Sequence, residues 1–277
     1  MNEGQTPILW CPGCGNFAVL NVMREVLTEL QAEGVPLEQV VLAAGIGQHA
    51  KIVDYLKVNS FYALHGRAVA AAEGIKLANP RLKVIVFVGD GDSYGEGLEH
   101  LIFAAKRNID LTVVVHNNRV YALTTGQYTP TSPLGYKGRS TPEGTHEHPL
   151  NPLELLLAAG ATYLARGYNA KTEQLKLLLK EAILHPGFAL IDLLQVCVTF
   201  YNQYDHYNQR GYELTGHNHA DYNEALSKIK EWDYNSDARI ALGKFYQVER
   251  PTFDSFFRGD NKVDREPVIK KLFERMV

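Results

Sequence analysis

Apolar positions change period several times along the chain, and each change predicts an element. From Gly15 to Glu33, Val19, Val22, Met23, Val26, Leu27 and Leu30 fall three and four apart, the spacing of a helix with one buried stripe. Gln39 to Ala44 is a short apolar run closed by glycine, which predicts a buried strand, and Phe61 to Leu64 is a second candidate strand. Arg67 to Leu77 reads as a helix that stops before Asn79-Pro80, because proline disfavours helical backbone in the residue before it. Lys83 to Val88 and Leu111 to Val115 are β-branched runs without polar alternation, as expected of strands covered on both faces. Between them Leu98, Leu101, Ile102 and Ala105 mark a helix. Asn151-Pro152 predicts a helix start, with an N-cap followed by proline at the first helical position. A strand over Thr162 to Ala165, a helix over Thr172 to Leu184 and a strand over Phe188 to Leu194 complete the series. Strands alternating with helices predict an α/β fold: a mostly parallel sheet with helices on both faces.

Two segments break the alternation. Thr124 to Pro149 is rich in Gly, Pro, Thr and His and is too long for a plain connector, which points to a functional loop. After Phe200 the chain is rich in Tyr, Asn and His, has a helix-like stretch near Tyr222 to Lys230, and ends in a polar tail. This divides the chain into a domain over residues 1–200 and an extension over residues 201–277 that packs on the domain or on a partner. With 277 residues the chain is long enough for a full core.

Composition narrows the class. A net charge of −3 gives no sign of nucleic-acid or membrane-surface binding. No apolar run approaches the roughly 20 residues that span a bilayer. The first residues carry no basic or apolar leader, so a cytoplasmic protein is expected. There are three cysteines, Cys11, Cys14 and Cys197, an odd number that argues against a disulfide framework. In a reducing compartment Cys11-x-x-Cys14 reads as metal binding or redox chemistry.

The stretch from Val84 to Asn118 carries the densest chemistry. One buried strand ends at Gly89-Asp90-Gly91 and is followed by a helix, and the next buried strand ends at Asn117-Asn118. A right-handed crossover between parallel strands puts both ends at one sheet edge, where open α/β sheets bind ligands. Gly89 and Gly91 would let backbone approach a phosphate, and the helix start after Gly91 would offer free N–H groups. Asp90 and Asn118 supply hard oxygen ligands suited to Mg²⁺, which takes further ligation from phosphates. A metal is required here, since a bare carboxylate would repel a diphosphate. Asp92 stands near that diphosphate or caps the following helix.

This pattern resembles the thiamine-diphosphate motif, in which Gly-Asp-Gly is followed by Asn-Asn. The resemblance implies Mg²⁺ ligation by Asp90, Asn118 and the carbonyl of Val120. Further segments are similar, in order, to the β subunits of 2-oxoacid:ferredoxin oxidoreductases: Trp10 to Gly15, Gly45-Ile46-Gly47, His65-Gly66-Arg67-Ala68, Lys76 to Pro80, Thr125-Gly126-Gln127, Cys197 to Phe200 and, more weakly, Arg250-Pro251-Thr252. The likeness covers most of residues 10–200. It implies cofactor contacts at Ile46, Gly47, Gln48 and His49, at His65, Gly66, Arg67 and Ala68, at Gly91 and Asp92, and at Ala122 and Leu123. Lys51 falls where some members place a cation that meets the substrate carboxylate, although a solvated surface lysine is an equal account.

The family also implies an iron–sulfur cluster, usually 4Fe-4S, on four cysteines. Cys11, Cys14 and Cys197 match three positions, and Gln48 stands at the fourth. That departure leaves several outcomes: a 4Fe-4S cluster with Gln48, His49 or water as fourth ligand, a three-iron cluster, a zinc site, or reduced thiols without metal. The implied activity is coenzyme A-dependent oxidative decarboxylation of a 2-oxo acid, or its reverse, with ferredoxin as electron partner. The activating glutamate belongs on an α subunit, because this chain has room for the diphosphate-binding domain only. A zinc or empty cysteine site would instead suit a non-oxidative decarboxylase subunit.

Overall fold

The computed structural model describes residues 7–257 and 266–274 of the chain. The strands in chain order are Val40–Ala44 (β1), Asn59–Tyr62 (β2), Lys83–Gly89 (β3), Leu111–Asn117 (β4), Val120–Tyr121 (β5), Gln127–Tyr128 (β6), Tyr163–Tyr168 (β7), Phe188–Leu194 (β8), Gly211–Glu213 (β9) and Ile240–Gln247 (β10). Eight of them form one sheet in the order β2-β1-β3-β4-β8-β7-β10-β9, and β5 pairs with β6 in a separate ribbon. All ladders in the large sheet are parallel except that of β10 with β7. Every residue of β4, β7 and β8 is buried, which is why those runs show no alternation.

The helices are Asn16–Ala32 (α1), Ala68–Ala78 (α2), Leu98–Arg107 (α3), Pro152–Ala159 (α4), Thr172–Leu184 (α5), Tyr204–Arg210 (α6), Tyr222–Ile229 (α7) and Glu266–Glu274 (α8). One sheet face is covered by α1 and α5, the other by α2, α3, α4 and α7, so two apolar cores flank the sheet. The α4 start follows its prediction: the Asn151 side chain accepts a hydrogen bond from the Glu154 N–H, with Pro152 opening the helix.

The stretch over residues 201–257 is more regular than its patterning suggests. It packs on the domain by extending the sheet through β10 and β9, and Trp232, Tyr234 and Tyr207 form a third core with Tyr168, Leu194 and Val196. The expected polar tail therefore contains a strand. Ile240, Leu242 and Phe245 of β10 are all buried, each worth about 1.5–3 kcal/mol relative to exposure. Among the described residues no helix is long and apolar enough to cross a membrane.

Candidate cofactor and cysteine sites

β1, β3 and β4 are parallel neighbours, and their carboxyl ends open on one edge of the sheet. Asp90 follows β3 directly and Asn118 follows β4, so two oxygen-bearing side chains leave adjacent strands side by side. Asn117, the last residue of β4, is fully buried, and its amide Nδ2 donates to Asp192 Oδ1 at 2.9 Å. The first asparagine is thus a core group and the second lines the cavity. Asn118 Oδ1 accepts from the Val120 N–H at 3.1 Å, which leaves it a further lone pair for a cation.

The chain after β3 differs from the expected helix start. Gly91–Glu96 forms a turn of π-helix, and regular α-helix begins only at Leu98. A Cβ on Gly91 would lie 2.1 Å from the Tyr121 ring, and Tyr121 Oη donates to the Gly91 carbonyl at 3.2 Å. The glycine is needed for that close approach of an aromatic ring. Asp92 caps no helix. Its Oδ1 accepts from the Gly66 N–H at 2.6 Å, and its Oδ2 lies where a Cβ on Gly45 would sit, 1.7 Å away. One carboxylate thereby ties together the loops after β1 and β3 and the start of α2.

A buried polar network supports Asp90 from below. Thr131 Oγ1 lies 3.0 Å from Asp90 Oδ2 and 2.9 Å from Asn117 Oδ1. Asp192 accepts from Tyr94, Asn117 and Tyr234, and Arg166 completes the set with its Nε 3.6 Å from Asp192 and its Nη2 donating to Tyr234 at 3.0 Å. Arg166 and Asp192 are completely buried, an arrangement that survives only because each charge is matched. Burial pushes the Asp90 carboxyl up to about 6, against the opposing pull of the Thr129 and Thr131 hydroxyls. Burial also holds His116 well below the usual imidazole range. The loop from Thr124 to Pro149 contributes through Thr129, Thr131 and Ser132, three buried hydroxyls beneath the site.

These groups frame a cavity of about 90 Å³. Ile46, Gly47, Gln48 and His49 line it from the β1 end, His65 from the turn before α2, and Asp90, Gly91 and Asp92 from the β3 end. Asn118, Val120, Tyr121, Ala122 and Leu123 close it from the β4 end. Three predicted residues stand back from the lining. Gly66 is held by Asp92, Arg67 donates to the carbonyls of Gly66 and Glu96, and Ala68 is buried as the first residue of α2. Lys51 lies in the short 3₁₀ turn His49–Asp54, also outside the lining. Tyr121 and Thr124 are wall residues that patterning did not single out. His49 Nε2 and Asp92 Oδ2 face each other at 3.6 Å, both buried and without a hydrogen-bond partner. Such orphaned atoms cost about 1–3 kcal/mol each, so this wall suits a polar ligand.

A second cavity, of about 280 Å³, adjoins the first and shares Gln48, Asn118, Ala122 and Leu123 with it. Cys11, Cys14 and Cys197 all line it, and all three are free thiols. The Cys14 N–H donates to the Cys11 carbonyl at 3.0 Å, the tight turn expected of Cys-x-x-Cys. Trp10 Nε1 donates to the Gln48 carbonyl at 2.8 Å and so ties the cysteine segment to the loop after β1. Burial pushes the Cys14 thiol up to about 11, although Gln195 Nε2 donates to its sulfur at 3.7 Å. Among the described residues no three His, Cys, Asp or Glu side chains converge on a single metal-binding point. The three thiols are spread around one cavity rather than gathered at a point.

Comparisons with known proteins agree with this geometry. Residues 42–193 match the family model of the thiamine pyrophosphate enzyme C-terminal TPP binding domain. Residues 197–260 match the family model of the C-terminal part of the pyruvate ferredoxin oxidoreductase beta subunit. The chain is 41% identical over 256 residues to a 2-oxoacid:ferredoxin oxidoreductase subunit beta of Saccharolobus solfataricus, covering 87% of this chain and 82% of the relative. It is 35% identical to the 2-oxoglutarate synthase subunit KorB of Methanocaldococcus jannaschii, covering 91% and 92%. Its structure is similar to the 2-oxoglutarate:ferredoxin oxidoreductase of Magnetococcus marinus, with a TM-score of 0.86 and 31% identity over 98% of this chain and 96% of that one.

Proposed function

The chain belongs to the β subunits of the 2-oxoacid:ferredoxin oxidoreductases, and from that premise we propose that its two adjoining cavities hold Mg²⁺–thiamine diphosphate and an iron–sulfur cluster. One observation carries the cofactor half. Asp90 and Asn118 leave neighbouring parallel strands at the same edge and line one cavity, while Asn117 is turned into the core. In this reading Asp90, Asn118 and the Val120 carbonyl ligate the metal, and the metal carries the diphosphate. His49 and Asp92 offer unpartnered polar atoms to the cofactor, and Ile46, Ala122 and Leu123 supply apolar wall that excludes water. Gly66 holds the Asp92 carboxylate from behind, with Arg67 and Ala68 at the same end of α2.

When bound, thiamine diphosphate supplies the carbanion and electron-sink chemistry that releases CO₂ from a 2-oxo acid. The chain's own part is to grip, orient and shield. As a β subunit it works with an α subunit, on which the activating glutamate is expected. Ferredoxin as acceptor and coenzyme A as acyl acceptor accord with what the relatives' names describe. Lys51 is proposed as the contact for the substrate carboxylate in the assembled enzyme. Lys51→Met should raise KM for the 2-oxo acid while leaving kcat and thiamine diphosphate affinity unchanged.

The test is substrate-dependent reduction of ferredoxin by the co-expressed αβ complex, supplied with Mg²⁺, thiamine diphosphate, coenzyme A and a panel of 2-oxo acids. Acyl-coenzyme A formation coupled to ferredoxin reduction is expected. Release of free aldehyde with no ferredoxin reduction would sink the reading.

A further inference from the structure

We propose that the cysteine cavity holds an iron–sulfur cluster on three thiolates only, with the side-chain amide of Gln48 as the protein group on its fourth side. The inference rests on the oxidoreductase reading above and concerns how this chain departs from a four-thiolate site.

Three observations carry it. First, Cys11, Cys14, Cys197 and Gln48 line the same cavity, and the sequence has no further cysteine. Second, the Gln48 Oε1 atom is buried with no hydrogen-bond partner, although its own backbone carbonyl is fixed by the Trp10 indole. Trp10 in turn packs edge-on against Phe17 and Tyr55, so the amide and the Cys-x-x-Cys turn are held in fixed relation. A buried carbonyl oxygen left unpaired is an acceptor waiting for a partner. Third, His49 is not available. Its ring lies against Gly89 and Asp92 in the neighbouring cavity, and among the described residues no histidine lines the cysteine cavity. The same absence argues against a zinc site built from three cysteines and a histidine.

The chemistry follows from the donor set. A neutral amide oxygen is a hard, weak ligand, whereas sulfide-bridged iron prefers soft thiolate. The iron on the Gln48 side is therefore held less firmly than the other three. A one-electron oxidant such as ferricyanide should remove it: the four-iron 2+ core loses one electron and one Fe²⁺ and becomes a three-iron 1+ core. Iron and charge balance in that step, and the inorganic sulfide stays in place.

The experiment uses the anaerobically purified αβ complex. Iron and acid-labile sulfide are counted, the complex is titrated with ferricyanide, and ferrous ion release is followed with a chelator alongside electron paramagnetic resonance. The wild type is expected to release one Fe²⁺ per β chain and to develop a three-iron signal, both reversed by Fe²⁺ and dithionite. Gln48→Cys should suppress release at least tenfold. Gln48→Glu, which keeps the side chain's size and strengthens the oxygen donor, should slow it and serves if the cysteine variant fails to fold. A wild-type cluster that keeps all its iron as Gln48→Cys does would overturn this inference alone. Zinc, or no iron and sulfide, would overturn it together with the oxidoreductase reading.

Discussion

The two adjoining cavities are built in opposite ways. The cofactor cavity stands on strand ends and is backed by buried hydrogen bonds running from Asp90 through Thr131 and Asn117 to Asp192, Tyr234 and Arg166. The cysteine cavity is walled mostly by loops from four separate parts of the chain, and Cys11, Leu9 and Leu123 among its lining are exposed. The first is rigid because each side chain of that backing has at least one partner in a low-dielectric interior. The second is held by local turns and a few anchors such as Trp10. A site that must fix a metal to a narrow octahedral geometry benefits from strand ends. On the proposed function, a cluster in the cysteine cavity would pass electrons outward and so benefit from lying near the surface.

The difference can be broken from the rigid side. Asp192→Ala leaves Arg166 charged and unpaired in the core, and such losses cost about 3–5 kcal/mol. Chemical denaturation of the complex should show a loss of that size. Asp90→Asn removes the proposed anionic metal ligand and should weaken Mg²⁺–thiamine diphosphate binding by about 100-fold or more, since even supporting residues typically cost 10–100-fold. Calorimetric titration of the cofactor measures it. Thr131→Val, which removes a supporting hydroxyl, should cost roughly tenfold in the same titration, with Thr131→Ser restoring affinity. A fall in stability with unchanged affinity would make Thr131 merely structural.

Protonation sharpens the same contrast. Because burial raises the Asp90 carboxyl to about 6, proton and metal compete for it. Cofactor affinity should be flat above that value and fall about tenfold per pH unit below it. In the metal-free chain the sign reverses: the raised value favours the folded state while the carboxyl is protonated, and that contribution fades as pH climbs through about 6. Magnesium and cofactor should therefore raise the melting temperature more at neutral than at acid pH. The smallest effect is expected across the shared wall. Cys11→Ser should leave cofactor affinity within about twofold while changing the visible absorption of the complex.

Much of this was legible in the chain, and the limits have physical causes. β3, β4 and β8 announced themselves because strands covered on both faces need unbroken apolar runs. Gly89-Asp90-Gly91 and Asn117-Asn118 could be paired because a crossover returns both ends to one edge. What stayed hidden depends on distant partners. Arg166 is a charge inside a buried strand, tolerated only because Asp192 and Tyr234 reach it from elsewhere. Thr131 gains its place from a long loop whose composition says only that it is irregular. β10 was obscured by the Tyr- and Asn-rich context around it, by Gly243 within it, and by a bulge between Lys244 and Tyr246 that breaks its alternation. Asp92 looked like a cap because its partner, the Gly66 N–H, lies in another segment.

The wall shared by the two cavities has a consequence for damage. Over-oxidation of a thiol to the sulfinate is irreversible for most proteins and leaves a fixed negative charge. Cys11 is the exposed thiol of the three. A sulfinate there would stand in a cavity that shares Gln48, Asn118, Ala122 and Leu123 with the proposed diphosphate pocket. Like charges at such range repel, so an injury that begins at sulfur would be felt as a loosened grip on the diphosphate next door.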